Sequence, residues 1–148
     1  MYRHILVPTD GSKLAAKGVR AGVRLAAALG ARVTGVFVIP PYVPPMYGEG
    51  IIYVPGRAPG EYRKATQAQA RKALSVVEIE AQAARVPYAT RSATADQPWR
   101  AILSTARARR CDAIVMASHG RGGLGGLILG SETTRVLAGS KIPVLVVR

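Results

Sequence analysis

The sequence predicts an α/β protein: a doubly wound, open five-stranded parallel sheet with helices on both faces. Short and nearly continuous apolar runs alternate with segments in which apolar residues recur at helical spacing. Strands that are apolar on both faces are typical of parallel sheets, and right-handed crossovers put the connecting helices on both sides. At 148 residues the chain fits a single domain, 1–148, with the element order β-α-β-α-β-α-β-α-β.

The first strand and the first helix are marked by the residues between them. Residues 4–8 form an apolar run and predict a buried strand. Turn and capping residues follow at 9–12, and a helix is predicted from Lys13 to Leu29. Gly22 lies on its apolar face and allows close packing on the sheet, and Gly30 ends the helix. The residues expected to face the core are Ala15, Val19, Val23, Ala26 and Leu29.

A second strand, Arg32 to Ile39, precedes a long break at 40–60 that holds six prolines, four glycines and three tyrosines. A loop of this length in a compact domain is usually functional or disordered. It could fold over a ligand or reach a second subunit, and the sequence does not choose between them. The Ala-rich segment from Glu61 to Ala84 predicts a second helix with one apolar face: Leu74, Val77, Ala81 and Ala84.

The second half of the chain continues the alternation. A weak third strand is predicted from Tyr88 to Ala93, a third helix begins at Asp96 or Pro98, and Ala113 to Met116 form a fourth strand. The last predicted elements are a short helix from Ser131 to Ala138 and a strand from Pro143 to Val147. Ligands of doubly wound sheets bind at the carboxyl ends of the strands, where the strand order reverses. The turns after the first and fourth strands are therefore the candidate site.

The charge and the aromatic content of the chain indicate which classes of ligand and partner to expect. The chain carries 21 Lys and Arg against 8 Asp and Glu, a net charge of +13, which raises the expectation of anionic ligands. Two basic clusters stand out, a helical stripe and a short run: Lys13, Lys17, Arg20 and Arg24, and then Arg107, Arg109 and Arg110. One Phe and one Trp cannot build a base-stacking platform, so a solvated basic surface is favoured over nucleic-acid binding.

The same residue counts set expectations for the compartment and for metals. No apolar run reaches the length of about 18 residues that spans a bilayer, and the N-terminus lacks a signal-peptide layout. The single cysteine, Cys111, fits a reducing compartment and a buried, inert thiol. We therefore expect a cytoplasmic protein without membrane insertion. No metal-ligand spacing appears, so a metal such as Mg²⁺ or Mn²⁺ would arrive on the phosphates of a ligand.

The most distinctive segment runs from Ala117 to Thr134 and holds six glycines. A glycine-rich bend between a strand and a helix exposes backbone N–H groups, and the helix start adds partial positive charge, so the segment suits a phosphate. Gly120 to Gly125 formally match the dinucleotide motif G-x-G-x-x-G. They follow the fourth strand rather than the first, however, and no acid occurs at 136–148. The P-loop pattern G-x-x-x-x-G-K-[ST] is also absent.

The wider pattern resembles the universal stress protein family, in particular its ATP-binding subgroup. The signature of that subgroup is G-x2-G-x9-G-[ST]. Here Gly120, the spacing of nine residues, Gly130 and Ser131 match, whereas Ala117 stands at the first glycine. The resemblance covers the whole chain and includes three further segments: 8–12, 112–116 and 142–147. It implies a nucleotide-alpha-hydrolase-like sheet with the strand order 3-2-1-4-5.

The resemblance also implies an ATP site. Asp10 would accept hydrogen bonds from the ribose hydroxyls, although it is also a candidate N-cap of the first helix. Val38 matches the position whose backbone meets the adenine edge. Met116 and Ala117 would lie against the ribose, where the Ala117 methyl group costs little if its φ is negative and more if it is positive. The full predicted set is Pro8, Thr9, Asp10, Val38, Met116, Ala117, Gly120, Arg121, Gly130, Ser131, Glu132 and Thr133.

The phosphates are assigned to the glycine-rich segment and the helix that follows it. Gly120 and Gly130 would let backbone amides approach the phosphates closely. Ser131 and Thr133 would donate hydroxyl and amide hydrogens at the helix N-terminus, and Arg121 would supply positive charge. The alternative role of Ser131 is that of a plain N-cap.

The resulting hypothesis is an ATP-binding stress-response protein that acts as a nucleotide-dependent sensor or regulator. Hydrolysis is expected to be slow or absent, because no general base is evident. His119 suits a role in fixing the backbone, or a place beside the phosphates, better than general base catalysis. Three alternatives stay open: a family member that binds no nucleotide and acts as a protein-interaction module, an enzyme that splits ATP at the α-phosphate, and an anion or nucleic-acid binder driven by the basic surface. The final strand, Pro143 to Val147, would lie at a sheet edge, and the family pairs through it, so a homodimer is expected.

Overall fold

The computed structural model describes residues 1–44, 58–119 and 129–148. Five parallel strands form one sheet in the order β3-β2-β1-β4-β5, with helices on both faces, which confirms the predicted fold class and strand order. The elements are β1 (His4–Pro8), α1 (Lys13–Leu29), β2 (Arg32–Ile39), α2 (Pro59–Ala83), β3 (Tyr88–Thr94), α3 (Pro98–Ala108), β4 (Ala113–Ala117), α4 (Ser131–Gly139) and β5 (Val144–Val147).

The predicted element boundaries agree with the observed ones to within two residues. The largest difference is at α2, which begins at Pro59 rather than Glu61, since proline has a suitable φ and needs no amide partner in the first helical turn. Pro98 likewise occupies the first turn of α3, which decides between the two predicted starts of that helix. Most of the predicted break at 40–60 lies outside the described residues.

The core is divided by the sheet into two layers, because neighbouring residues of β1 point to opposite faces. Ile5 and Val7 pack with α1 and α2, whereas Leu6 packs with α3 and α4. Two residues predicted to face the core do not. Leu29 is 37% exposed at the last turn of α1, and Ala84 is an exposed cap residue beyond the end of α2. Both residues stand at the C-terminal end of the apolar stripe, whose earlier members are buried against the sheet.

Helix α1 lies against the sheet through glycines. A Cβ atom on Gly22 would be 2.3 Å from Val7 Cγ1, so the predicted close packing at this position is confirmed. A Cβ atom on Gly18 would be 2.9 Å from Ala117 N and 3.2 Å from the Met116 carbonyl carbon. The contact at Gly18 is with main-chain atoms of β4, which cannot rotate away as a side chain can.

Three helices end with a residue in the left-handed region. Gly30 closes α1 with a φ of +65°, as the sequence predicts. Arg85 and Arg110 hold the corresponding positions after α2 and α3, with φ values of +54° and +53°. Glycine is the usual residue there, and a side chain in this conformation costs about 1 kcal/mol. The chain therefore accepts backbone strain at two arginines of equivalent geometry.

The amino end of β1 is fixed by polar contacts. The carboxylate of Asp112 accepts hydrogen bonds from the amides of Arg3 at 2.8 Å and His4 at 3.0 Å. Burial alone would raise the pKa of Asp112, but these hydrogen bonds hold the pKa below its ordinary value. Burial and the nearby Arg32 lower the pKa of His4, whereas Asp112 acts in the opposite direction. The His4 side chain is therefore neutral and buried, and the His4 backbone amide joins β1 to Asp112.

Burial raises the pKa of the Cys111 thiol to about 11. The side chain is 7% exposed within the layer of core that lies under α3 and α4. A thiol in this environment stays protonated near neutral pH and reacts slowly, as the sequence leads one to expect.

The basic stripe along α1 meets an acidic residue of a neighbouring helix. Arg20 Nη1 lies 3.6 Å from the Glu80 carboxylate of α2, so part of the stripe pairs within the fold although α1 itself has no acidic residue. Lys13, Lys17 and Arg24 are exposed. Among the described helices, none is both long and apolar enough to cross a membrane.

Candidate functional site

A cavity of about 470 Å³ opens at the carboxyl ends of β1, β2 and β4. It lies where the strand order reverses between β1 and β4, the position at which doubly wound sheets bind ligands. Ten of the twelve predicted site residues are described, and all ten line this cavity: Pro8, Thr9, Asp10, Val38, Met116, Ala117, Gly130, Ser131, Glu132 and Thr133. We call it the carboxyl-edge cavity. The other two, Gly120 and Arg121, lie outside the described residues.

The turn after β1 presents Asp10 to the carboxyl-edge cavity. Asp10 Oδ1 accepts a hydrogen bond from the Ser12 amide at 2.9 Å, and Thr9 Oγ1 accepts one from the Gly11 amide at 3.2 Å. Gly11 has a φ of +81°, which only glycine adopts readily. These contacts form a tight turn that fixes the Asp10 carboxylate at the mouth of the cavity.

Asp10 is not the N-cap of α1, which corrects one of its two predicted roles. The cap is Ser12, whose side-chain oxygen accepts a hydrogen bond from the Ala15 amide at 3.0 Å. Ser12 stands two positions closer to the helix than Asp10 and has the extended backbone that an N-cap needs. The Asp10 carboxylate is thereby left at the cavity rather than on the helix axis.

The N-terminus of α4 forms the opposite wall. Gly130, not Ser131, occupies the cap position, and its amide donates to Ser118 O at 2.7 Å. The amides of Ser131, Glu132 and Thr133 come next, and the first amides of a helix have no acceptor within it. Because the helix dipole also favours negative charge at this end, the wall is suited to an anion.

Gly130 leaves little room for a side chain. A Cβ atom there would be 3.0 Å from both Cα and Cβ of His119 and 3.3 Å from Ser118 O. The segment entering α4 therefore runs directly over the chain that leaves β4. This contact sets the direction in which the amides at the start of α4 point.

Two predicted site residues of α4 have structural hydrogen bonds. The Thr133 hydroxyl, buried at 2% exposure, donates to Ala117 O at 3.0 Å, so its hydrogen is directed to β4 instead of the cavity. Glu132 Oε2 accepts from the Trp99 amide at 2.7 Å, and Oε1 accepts from Arg135 Nη1 at 3.2 Å. Thr133 thus joins α4 to β4, and Glu132 joins it to the N-terminus of α3. The backbone amides of both residues remain at the N-terminus of α4, next to the cavity.

Ala117 is the last residue of β4 and is 7% exposed. Its φ is not among the positive values, which belong to Arg85 and Arg110 among the described non-glycine residues. The methyl group at this position therefore introduces no backbone strain. It does lie in the lining of the cavity, beside the Met116 residue that precedes it.

The lower part of the cavity is apolar, and sequence reasoning missed several of its members. Pro98 and Ile102 enter from α3, and Pro40 follows β2 beside Val38. Gln69 adds a polar group from α2. Nothing in the spacing of these residues marks them, since each belongs to an ordinary apolar or polar stripe. Their grouping follows from the crossovers that place α2 and α3 on opposite faces of the sheet.

His119 also lines the carboxyl-edge cavity, at the edge where β4 gives way to the glycine-rich segment. Its Nδ1 is 3.2 Å from Ser118 Oγ. This contact orients the ring beside the N-terminus of α4. The position agrees with the predicted place near a bound anion, and its use by a ligand stays a prediction.

The chain is similar to known proteins over its whole length. The model of the universal stress protein family matches residues 1–148. A universal stress protein of Thermus aquaticus is 33% identical over 148 residues, with 100% of both chains covered. The universal stress protein YxiE of Bacillus subtilis is 32% identical over 149 residues, again with 100% of both chains covered.

Solved structures agree with this result at the level of the fold. A universal stress protein in complex with cAMP has a TM-score of 0.68 and 24% identity, with 99% of this chain and 97% of that chain covered. The universal stress protein from Archaeoglobus fulgidus in complex with dAMP has a TM-score of 0.66 and 20% identity, with 99% and 98% covered. The fold, the full-length family match and the identities above 30% lead to one conclusion: the chain belongs to the universal stress protein family.

Proposed function

We propose that this chain is a stress-response protein that binds ATP in the carboxyl-edge cavity and acts as a nucleotide-dependent sensor or regulator. The observation that carries the proposal is the meeting of the Asp10 turn and the α4 N-terminus across one cavity. A volume of about 470 Å³ is in the range of small-molecule sites. Adenine nucleotides are also named in the complexes of two structural neighbours, with cAMP and with dAMP.

The polar and apolar parts of the cavity suit the parts of a nucleotide. The amides at the start of α4 favour the phosphates, and Asp10, across the cavity, favours hydroxyl donors such as those of ribose. The apolar surface of Val38, Ile102 and Met116 favours a flat base. A divalent cation, if bound, would reach the site with the phosphates and would keep most of its waters.

The side chains around the cavity favour binding over rapid hydrolysis. Glu132 accepts hydrogen bonds from the Trp99 amide and from Arg135, and Thr133 donates to Ala117. Asp10 is held by the Ser12 amide. With these groups engaged, none of the three is arranged to remove a proton from an attacking water, so we expect turnover far below the kinase-like range of 1–100 s⁻¹.

The ribose contact can be tested with a substitution that preserves the turn. Asp10→Asn keeps an oxygen for the Ser12 amide but removes the negative charge that strengthens hydrogen bonds from ribose hydroxyls. A charged hydrogen bond contributes about 1.5–3 kcal/mol, so ATP affinity measured by calorimetry should fall about tenfold or more. Tripolyphosphate has no ribose, so its affinity for the α4 N-terminus, read from the chemical shifts of the α4 amides, should stay within about twofold.

Asp96→Asn provides the matched control, because Asp96 is exposed and is not part of the cavity lining. It makes the same change of charge and should leave ATP affinity unaltered. Equal ATP affinities for the Asp10 and Asp96 variants would contradict the proposed orientation of the nucleotide. Absence of saturable ATP binding to the unaltered protein, together with no adenine nucleotide released on denaturation as seen by mass spectrometry, would overturn the proposed function itself.

We further propose a homodimer that forms through β5. This strand lies at one edge of the sheet and pairs with β4 on one side only, and its residue Leu145 is 49% exposed. The outer side of such a strand has unpaired backbone N–H and C=O groups, which can form hydrogen bonds with a second copy. Light scattering should give twice the chain mass of 15.6 kDa for the unaltered protein. The Leu145→Asp variant should have the mass of one chain. A monomer at high protein concentration before any substitution would contradict the dimer.

A further inference from the structure

A second cavity, of about 460 Å³, lies at the opposite edge of the sheet, where β1, β2 and β3 begin. We call it the amino-edge cavity. Four of its lining residues are arginines and none is acidic: His4, Arg32, Val33, Thr34, Pro87, Tyr88, Ala89, Arg91, Ala108, Arg109 and Arg110. It shares no residue with the carboxyl-edge cavity.

The amino-edge cavity is formed by elements distant in sequence. Arg32 begins β2, Arg91 lies in β3, and Arg109 and Arg110 follow the last turn of α3. Arg91 and the buried residue Thr34 are on the face of the sheet that α3 covers, because side chains alternate along each strand and Val36 packs under α3. The four arginines therefore line one concavity.

The charge of these arginines is not neutralised within the described parts of the chain. The ion pairs found there join Arg20 to Glu80 and Arg135 to Glu132, and neither involves a residue of the amino-edge cavity. Arg91 donates to its neighbour Thr90 O at 3.0 Å, a contact with a neutral group. The carboxylate of Asp112, which accepts hydrogen bonds from the amides of Arg3 and His4, is not part of the lining of the cavity.

The floor of the cavity is polar and buried. His4 is 6% exposed and Thr34 is 2% exposed, and His4 Nε2 lies 2.8 Å from Thr34 Oγ1. The other ring nitrogen, His4 Nδ1, is buried and has no hydrogen-bond partner among the described residues. A buried polar group without a partner is costly, and such groups in native proteins usually serve a purpose other than stability.

The backbone at Arg110 is strained, because its φ of +53° is a conformation in which glycine would be more stable. Arg110 lines the amino-edge cavity. Arg85 has the same strain at the end of α2, but it is not part of the lining, which makes it a natural comparison.

From these observations we infer that the amino-edge cavity binds a small, multiply charged phosphate anion, held by the guanidinium groups of Arg32, Arg91, Arg109 and Arg110. Guanidinium groups form paired hydrogen bonds with phosphate oxygens, and several together match an anion with more than one phosphate. A concavity with one exposed aromatic residue, Tyr88, favours a small anion over the backbone of a nucleic acid, which needs an extended surface. The site does not depend on ATP binding elsewhere.

The test is a titration of the full chain with tripolyphosphate, followed by amide chemical shifts. Saturable shifts are expected at Val33, Tyr88 and Ala108, and these residues are separate from the α4 amides that report on the carboxyl-edge cavity. Arg110→Gly should weaken the binding reported by the first group about tenfold or more, since a charged hydrogen bond is lost. Because glycine relieves the strain at this position, the variant should unfold at the same or a higher denaturant concentration than the unaltered chain.

Arg85→Gly is the matched control, with the same loss of charge and the same relief of strain outside the cavity. It should leave tripolyphosphate affinity within about twofold of the original. Equal weakening by both variants would show a general effect of net charge and would overturn the inference. Two other results would also overturn it: no saturable shifts at the three reporter residues, or saturation there by a short single-stranded oligonucleotide and not by tripolyphosphate.

Discussion

Replacing Gly130 with valine is expected to lower ATP affinity by at least about 100-fold, a loss of about 2.7 kcal/mol. The new Cβ would be 3.0 Å from the Cα and Cβ atoms of His119 and 3.3 Å from Ser118 O. Relieving these contacts shifts the start of α4 away from β4 and weakens the hydrogen bond of 2.7 Å from the Gly130 amide to Ser118 O. The amides that we propose face the phosphates would then lose their direction.

Calorimetry with ATP measures this effect, and denaturant unfolding checks that the fold survives. Gly60→Val is the control, because a Cβ atom on Gly60 meets nothing within 4 Å in the first turn of α2. This control should bind ATP as the unaltered chain does. If the Gly130 variant retained full affinity with an unfolding curve like that of the control, the assignment of the phosphates to α4 would be wrong.

Gly18→Val is expected to lower the free energy of unfolding by about 3 kcal/mol. Its Cβ would be 2.9 Å from Ala117 N and 3.2 Å from the Met116 carbonyl carbon. Strand β4 has neighbours on both sides, β1 and β5, so its main chain cannot retreat without breaking ladder hydrogen bonds. Such a loss is a large fraction of the 5–15 kcal/mol typical of a domain, and the midpoint of urea unfolding should move down clearly.

The same Gly60→Val variant is the control for this substitution, since it places an identical side chain at a helical glycine with open space around it. Its unfolding midpoint should change little. Equal midpoints for the Gly18 and Gly60 variants would show that α1 can move off the sheet at little cost. That outcome would contradict the packing of α1 directly on the β4 backbone.

The sequence predicted the elements well, because each depends on a local signal. The apolar run of β1, the glycine that ends α1 and the prolines that begin α2 and α3 are all readable without a structure. The buried faces of the helices and the residues that cap them were harder to predict. Whether Asp10 or Ser12 caps α1 depends on the exact path of a four-residue turn, and both residue types are good caps. Likewise, Gly130 rather than Ser131 is the cap of α4, since the helix begins one residue earlier than the hydroxyl suggests.

The carboxyl-edge cavity could be located from the sequence because doubly wound sheets bind ligands where the strand order reverses, and because the family signature marks its polar residues. Its apolar lining, such as Pro98 and Ile102, comes from helices whose stripes look the same whether they face the core or a cavity. The amino-edge cavity had no signal at all. Arg109 and Arg110 appear in the sequence as a surface cluster, and their proximity to Arg32 and Arg91 depends on how α3 crosses the sheet.

The two outer strands of the sheet, β3 and β5, differ in polarity, and this difference limits how many copies of the chain can join through the sheet. The outer strand β5 is entirely apolar, whereas β3 carries Arg91 between threonine and serine residues at 90, 92 and 94. Pairing of two β5 strands about a twofold axis would use the apolar edge of both copies and leave only β3 edges outside. Polar edges with like charges resist further addition. Association of the proposed dimer through the sheet would therefore stop at two copies, without growth into a fibre.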